Sequence, residues 1–222
     1  MEEHIVRILS TEQVTHDVIR FRVEKPAAYS FQPGQATEVS INRSDLRNEK
    51  RPFTFTSLNS DSYLEFTIKI YPLHGGVTNE LGKLSPGAEL IIRDVWGAIT
   101  YNGKGIFIAG GAGITPFISI FRDLHMKNEI TGNTLVFANK TKADIILENE
   151  FEKLLGKSFV KILSEEKAEG YFHGIINETF LRENIADLKR RYYVCGPPPM
   201  MDAVLKQLAN MGVVESSIIL EL

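Results

Sequence analysis

Through the first hundred positions, hydrophobic and polar residues alternate in short runs. Residues 18–23 and 36–41 repeat with a period of two, and residues 63–70 carry the pattern further, as strands with one buried face require. Residues 4–9, 51–57 and 89–93 are further β-prone runs, with Pro33-Gly34 and Pro86-Gly87 supplying turns. Only residues 77–84 read as a helix in this half. Six short strands separated by turn signals predict a six-stranded antiparallel β-barrel, with a small sandwich as the alternative.

After Asn102-Gly103 the pattern changes to short apolar runs alternating with stretches of helical period. Strands are predicted near 106–109, 134–138, 159–163, 192–195 and 217–221, and helices near 115–127, 144–155, 175–184 and 198–210. This alternation predicts a five-stranded parallel sheet with helices on both faces. The chain therefore reads as two domains, a β domain over 1–102 and an α/β domain over 103–222.

The candidate chemistry centres on Gly105-Ile-Phe-Ile-Ala-Gly-Gly-Ala-Gly-Ile-Thr-Pro-Phe117. A buried strand runs into three glycines and then a helix opened by Pro116. Glycines admit close backbone approach, and the open N–H groups of a helix start, with roughly half a positive charge, favour a pyrophosphate. Proline fits the first helical turn because its missing N–H costs nothing there. The spacing Gly111-x-Gly113-x-x-Pro116 departs from the dehydrogenase fingerprint, which has a third small residue at the last position. Two readings of the glycines stand side by side: a phosphate cradle, or tight packing of strand against helix. In open parallel sheets ligands bind beyond the C-terminal strand ends. Both Gly110-Gly111 and Cys195-Gly196 fall there.

Composition narrows the field. The 222 residues are 43% hydrophobic and 24% charged, which is ordinary for globular chains. A net charge of −3 argues against nucleic acid as the main partner. No apolar run approaches the ~18 residues of a membrane span, and the first residues lack the basic and apolar regions of a signal peptide; the expected location is cytoplasmic. The single cysteine excludes an internal disulfide and a four-cysteine iron–sulfur cluster within the chain. The five histidines show no metal-binding spacing, so no metal site is expected, and no serine sits in G-x-S-x-G.

Three motifs follow one another in fixed order: Arg51-Pro52-Phe53-Thr54, Gly110-Gly111-Ala112-Gly113-Ile114-Thr115-Pro116 and Cys195-Gly196-Pro197-Pro198-Pro199-Met200. With a β domain ahead of an α/β domain, the whole chain resembles the ferredoxin–NADP reductase superfamily, which pairs an FAD-binding barrel with a nucleotide-binding domain. The resemblance implies that Arg51 pairs with the FAD pyrophosphate, which suits a guanidinium fork. It implies that Phe53 lies against the isoalloxazine, with Pro52 beside it, and that Thr54 hydrogen-bonds flavin N5. Where the family has tyrosine, Phe53 lacks the phenol. The alternative for this segment is an ordinary strand with Arg51 as a solvated edge.

By the same resemblance, Lys69-Ile70-Tyr71 holds the flavin through its backbone. Gly75, Gly76, Val77 and Thr78 offer donors to the second FAD phosphate, a reading compatible with Thr78 as a helix cap. Gly111, Gly113, Thr115 and Pro116 would hold the pyrophosphate of NADPH or NADH. Cys195 would sit near the nicotinamide, with Gly196, Pro197 and Met200 shaping the pocket edge; the alternative for Cys195 is a small buried hydrophobe. Glu221 matches a glutamate that in some relatives lies near flavin and nicotinamide, although the family's terminal aromatic is missing after it; the alternative is a solvated terminal residue. Thr54, Cys195 and Glu221 form the implied catalytic set. Asn139 and Lys140, with Thr141 and Lys142, stand where the adenosine ribose is gripped, and the lack of an acid at that strand end leans slightly to NADPH; the alternative is a solvated loop capped by Asp144.

The resemblance implies an NAD(P)H oxidoreductase that passes a hydride to FAD and then electrons to a small redox carrier, with flavodoxin or ferredoxin the leading acceptor. Two other classes are weighed against it: an electron-transfer subunit with little turnover alone, and a flavin-free nucleotide-binding regulatory module. The intact Arg51–Thr54 motif speaks against the last.

Overall fold

The computed structural model describes residues 2–97, 99–185 and 187–220. The chain divides into two compact units, one of Met1–Thr100 with Thr115–Asp123, the other of Tyr101–Ile114 with Leu124–Leu222. The periodicity alone assigns 115–123 to the α/β half; its contacts fall with the first unit.

In the first unit β1 (His4–Thr15), β2 (Val18–Glu24), β3 (Gln35–Ile41), β4 (Arg51–Thr54), β5 (Tyr63–Lys69) and β6 (Glu89–Gly97) form one antiparallel sheet, ordered β4-β3-β6-β1-β2-β5. The six expected strands are present. β1 and β6 run longer than their apolar patterns because pairing continues, to Thr15 opposite Val18 and to Gly97 opposite Gln35. The two edge strands approach through the isolated bridge between Phe55 and Phe66 rather than a continuous ladder, so the expected barrel is incompletely closed. Pro52 in β4 has no N–H to give to a second neighbour, which suits it to an edge. Inward residues pack one core in which Phe55 stacks on Phe31 at 4.2 Å and lies 5.3 Å from Phe66. Helix α1 (Val77–Leu81) buries Val77 and Leu81 and stops at Gly82, short of the predicted 84.

β5 is buried on both sides. Leu64, Phe66 and Ile68 face the core, while the opposite face puts Glu65 (1% exposed) and Thr67 out of water too. What covers them includes helix α2 (Thr115–Met126), whose Arg122 donates Nη1 to a Glu65 oxygen at 2.8 Å and to the Thr56 carbonyl at 2.7 Å. Arg22 Nε donates to the other Glu65 oxygen at 3.0 Å, and Thr56 Oγ1 to the first. Ser119 Oγ of the same helix accepts the Gly34 N–H.

In the second unit β7 (Gly105–Gly110), β8 (Thr134–Asn139), β9 (Phe159–Leu163), β10 (Phe172–His173), β11 (Arg191–Cys195) and β12 (Ile218–Leu220) form a parallel sheet ordered β10-β9-β8-β7-β11-β12. It has six strands where the pattern predicts five. The additional β10 is two residues long, bounded by Gly170 and Gly174, and too short to show a period. On one face Ile106, Ile108, Val136, Ile162, Tyr192 and Val194 pack with α4 (Glu178–Asn184) and α5 (Pro198–Asn210). On the other, Phe159 meets Phe151 of α3 (Glu148–Leu155) at 5.7 Å. α3 starts four residues later than expected because a 3-10 turn takes Lys142–Asp144 and Leu147 adopts a left-handed φ of 55°. α4 starts at Glu178, not 175, because Asn177 caps it by accepting the Phe180 N–H at 2.8 Å.

The order reverses between β7 and β11, and there the two strand ends are pressed together. A Cβ on Gly113 would lie 2.4 Å from the Cys195 carbonyl oxygen and 2.6 Å from the Gly196 Cα. Both are backbone atoms that cannot yield. Gly111 has φ +51°, and a Cβ there would meet nothing within 4 Å.

Gly113→Ala should therefore cost about 1–3 kcal/mol through overpacking, and Gly111→Ala only about 1 kcal/mol through its left-handed backbone; urea midpoints of the two variants give the order. A second outcome concerns acid. Burial pushes the Glu65 carboxyl up, but Arg122 and Arg22 outweigh it and hold it below its usual 4.5. The group's share of stability is complete above about pH 4.5 and lost as pH falls through the lower folded value. Glu65→Ala should lose about 3–5 kcal/mol at pH 7 because Arg122 and Arg22 are left without it. It should also flatten the acid limb of the stability–pH curve, measured by denaturant unfolding between pH 3 and 7.

Candidate functional site

β4 presents the first motif along an edge. Arg51 keeps its side chain 47% exposed, with Nη1 donating to the Lys50 carbonyl at 2.6 Å and Nη2 3.7 Å from Glu49. A guanidinium held this loosely can still turn to an anion. Phe53 rests partly on the core, and Thr54 is 6% exposed, paired opposite Ala36 of β3. Pro52 is exposed between them.

At the end of β5 the Lys69 ammonium is bound to Asp17 at 2.8 Å, and the Ile70 N–H donates to the Asp17 carbonyl. The side chain of Lys69 is thus engaged, and only its backbone is left for the role the resemblance implies. Tyr71 is half-exposed ahead of the 3-10 turn Pro72–His74, which ends in Gly75 at φ 58°. Gly76, not Thr78, occupies the cap of α1; Thr78 is the second helical residue, and its carbonyl accepts the Gly82 N–H. The capping expectation for Thr78 fails because the glycine pair already turns the chain one step earlier. With only five residues, α1 has a short dipole, so Gly75, Gly76, Val77 and Thr78 have individual N–H groups to offer more than a helix field.

In the second unit the glycines answer both readings raised by the sequence. Gly110 is packed by Met200, whose Sδ lies 2.3 Å from where a Cβ would be, and Gly196 by the same side chain. Gly110, Gly113 and Gly196 therefore serve close packing of the two strand ends, while Gly111 leaves its face open. The 3-10 turn Gly111–Ile114 carries the chain into Thr115 and Pro116, the first two residues of α2. Cys195 is buried at the end of β11, level with Ala109 of β7. Pro197 caps α5, Pro198 and Pro199 occupy its first positions, and Met200 follows in the first turn.

The end of β8 is the most polar part of this site. Asn139 is buried, and neither Nδ2 nor Oδ1 finds a hydrogen-bond partner among the described residues. A buried amide left without partners costs free energy, so such a group marks a place where a ligand completes the bonding. Lys140 is 71% exposed and paired with Glu165 at 2.9 Å, which raises its pKa. Asp144 accepts both the N–H and the hydroxyl of Thr141, at 2.8 and 2.6 Å, in a capping box of the 3-10 turn rather than at the start of α3. The Lys142 N–H donates to Glu166 at 2.8 Å, and its ammonium stands 5.4 Å from the centre of the Tyr171 ring. The sequence reading saw the two lysines but not Glu165 and Glu166, which β9 delivers to them from more than twenty positions away. Glu221 lies outside the described residues.

Residues 6–101 match the family of oxidoreductase FAD-binding domains, and residues 107–206 that of oxidoreductase NAD-binding domains. The reductase component of propane 2-monooxygenase from Mycolicibacterium smegmatis is 30% identical over 220 residues, covering 90% of this chain and 61% of that protein. The chain spans about three fifths of the length of that relative. Human NADH-cytochrome b5 reductase 1 is 30% identical over 241 residues, covering 90% of this chain and 79% of that protein. Among solved structures, the flavohem-like FAD/NAD-binding domain of nitric oxide dioxygenase from Vibrio cholerae superposes with a TM-score of 0.87 at 21% identity, covering 97% of this chain and 96% of that one. A ferredoxin NADP+ reductase from Neisseria gonorrhoeae with bound FAD and NADP superposes with a TM-score of 0.84 at 18% identity, over 96% and 92%. The chain belongs to the ferredoxin reductase-like family of FAD- and NAD-binding oxidoreductases.

Proposed function

We propose that this chain oxidises NADH and delivers the electrons, one at a time, to a separate protein acceptor. The observation that carries the reading is the edge strand β4, which sets the half-exposed guanidinium of Arg51 and the hydroxyl of Thr54 along one short segment. The chain's own residues fit both groups: a half-exposed guanidinium for the FAD pyrophosphate, an open Gly111 face for that of the dinucleotide, and an orphaned Asn139 amide for ribose hydroxyls. FAD, when bound, takes two electrons together and releases them singly. The remaining work belongs to the protein. Arg51 would anchor the FAD pyrophosphate, Phe53 would wall the ring and Thr54 would hydrogen-bond N5, and in the second unit Cys195 and Gly196 would bound the nicotinamide; orientation rather than acid–base chemistry would be the protein's contribution.

NADH is favoured over NADPH by charge. Lys140 and Lys142 stand among Asp144, Glu165 and Glu166, so a 2′-phosphate would enter a region of three carboxylates and two ammonium groups. The relatives named NADH-cytochrome b5 reductases support the same choice. This reverses the slight lean to NADPH drawn from the missing acid in sequence. For the acceptor, relatives are named for propane 2-monooxygenase and cytochrome b5. A separate protein that accepts electrons suits the reading, with ferredoxin and flavodoxin as candidates of the one-electron class.

Anaerobic titration of the FAD-loaded protein should bleach the flavin with NADH at concentrations about tenfold or more below those needed with NADPH, a difference of about 1.4 kcal/mol. Equal or reversed potency would overturn the cofactor choice. Flavin that neither nucleotide bleaches would favour the partner-dependent subunit. Arg51→Ala should weaken FAD binding by about tenfold or more, the worth of a charge-assisted pair. Its exposed position predicts a change in the stability of the flavin-free protein within about 0.5 kcal/mol. Fluorescence titration with FAD beside thermal unfolding separates the two effects, and wild-type FAD affinity in the variant would remove Arg51 from the site.

A further inference from the structure

We propose that the buried Glu65–arginine cluster is a positioning and charge-setting device for the flavin, acting through the strand that carries Thr54; this rests on the flavin reading of β4. The Glu65 carboxylate holds Thr56 from two directions. Its Oε1 accepts the Thr56 hydroxyl at 3.0 Å and Arg122 Nη1 at 2.8 Å, and the same Nη1 donates to the Thr56 carbonyl at 2.7 Å. The Thr56 N–H donates to the Glu65 carbonyl at 2.8 Å, and Thr67 adds a hydroxyl contact at 3.2 Å. Thr56 therefore has backbone and side chain fixed at once. Phe55 points into the core, so Thr54 and Thr56 point the other way and stand roughly 7 Å apart along the extended chain. Whatever fixes Thr56 restrains the backbone from which Thr54 projects.

The cluster also carries charge. Arg22 binds Oε2 at 3.0 Å, Arg20 Nε stands 3.9 Å from it, and Arg20 in turn pairs with Glu12. Arg122, Arg22 and Arg20 thus meet the carboxylates of Glu65 and Glu12 beside the buried segment that follows Thr54. A buried ion cluster adds little net stability compared with apolar packing, but it does fix geometry and field. A cationic side chain nearby favours the electron-rich, reduced flavin, and a carboxylate disfavours it. The sequence gives no notice of this: Glu65 lies on the polar face of an alternating strand, and Arg122 follows 57 positions later.

The test uses the full chain loaded with FAD, brought to equilibrium anaerobically with a reference dye of known potential, so that the ratio of reduced to oxidised flavin is read directly and without turnover. Glu65→Gln keeps the hydrogen bond to Thr56 and removes the negative charge; its flavin should be reduced more readily, by roughly three- to tenfold in the equilibrium constant. Arg22→Gln, at a side chain 40% exposed, removes a positive charge and should shift the equilibrium by a similar factor in the opposite direction. The double variant restores the net charge and should return close to wild type. If Glu65→Gln does not fold, Arg22→Gln alone carries the sign. Flavin equilibria that stay at the wild-type value, or move the same way in both variants, overturn the proposal. Failure of the wild-type chain to retain FAD would instead overturn the flavin reading, and this proposal with it.

Discussion

The second unit depends on a contact between backbones. The ends of β7 and β11 come so close at Gly113 that the Cys195 carbonyl occupies the space of a Cβ. Because β7 lies where the strand order turns back on itself, these two ends border the crevice in which open α/β sheets bind ligands. Gly110 and Gly196 are also consumed, by Met200, and the one glycine left with an open face is Gly111. Packing and binding thus divide the glycines between them: three let the loops close on each other, and the fourth leaves the closed loop accessible.

The first unit depends on charges matched out of water. Arg93 is 1% exposed and is satisfied by Glu3 at 2.9 Å, by the Ser40 hydroxyl at 3.0 Å and by the carbonyl of Arg47. The last of these bonds, to the Arg47 carbonyl, restrains the loop that leads into Arg51, while the Glu65 cluster restrains the segment that follows Thr54. The motif strand is thereby flanked on both sides by ion pairs that each have one buried member, Arg93 on one side and Glu65 on the other. Such clamps cost desolvation and return definition, which is what a strand at an incompletely closed sheet edge needs.

Relatives named for different acceptors share this architecture, and solved structures near 20% identity superpose over almost the whole chain. On the proposed reading, the glycine crevice and the strand β4 serve the shared chemistry, and the choice of dinucleotide rests on the carboxylates gathered around Lys140 and Lys142.

Local pattern determined the elements. Period-two alternation and β-prone runs between turns mark the six strands of the first unit, the switch to βα alternation marks the sheet of the second, and the order of three motifs identifies the family. Each of these signals lies within a few consecutive residues, where steric preference and face-by-face burial act directly. Single-residue choices also stayed legible where chemistry is local, as at Pro116 and Gly111. Tertiary structure decided the rest. It added β10, too short for any period, moved the start of α3 by the left-handed Leu147, and spent three glycines on packing. It buried Glu65 against Arg122 and brought Glu165 and Glu166 to the lysines that follow β8. Electrostatic partners are set by distance in space, and a chain that pairs residues dozens of positions apart leaves no trace of that pairing in its local pattern.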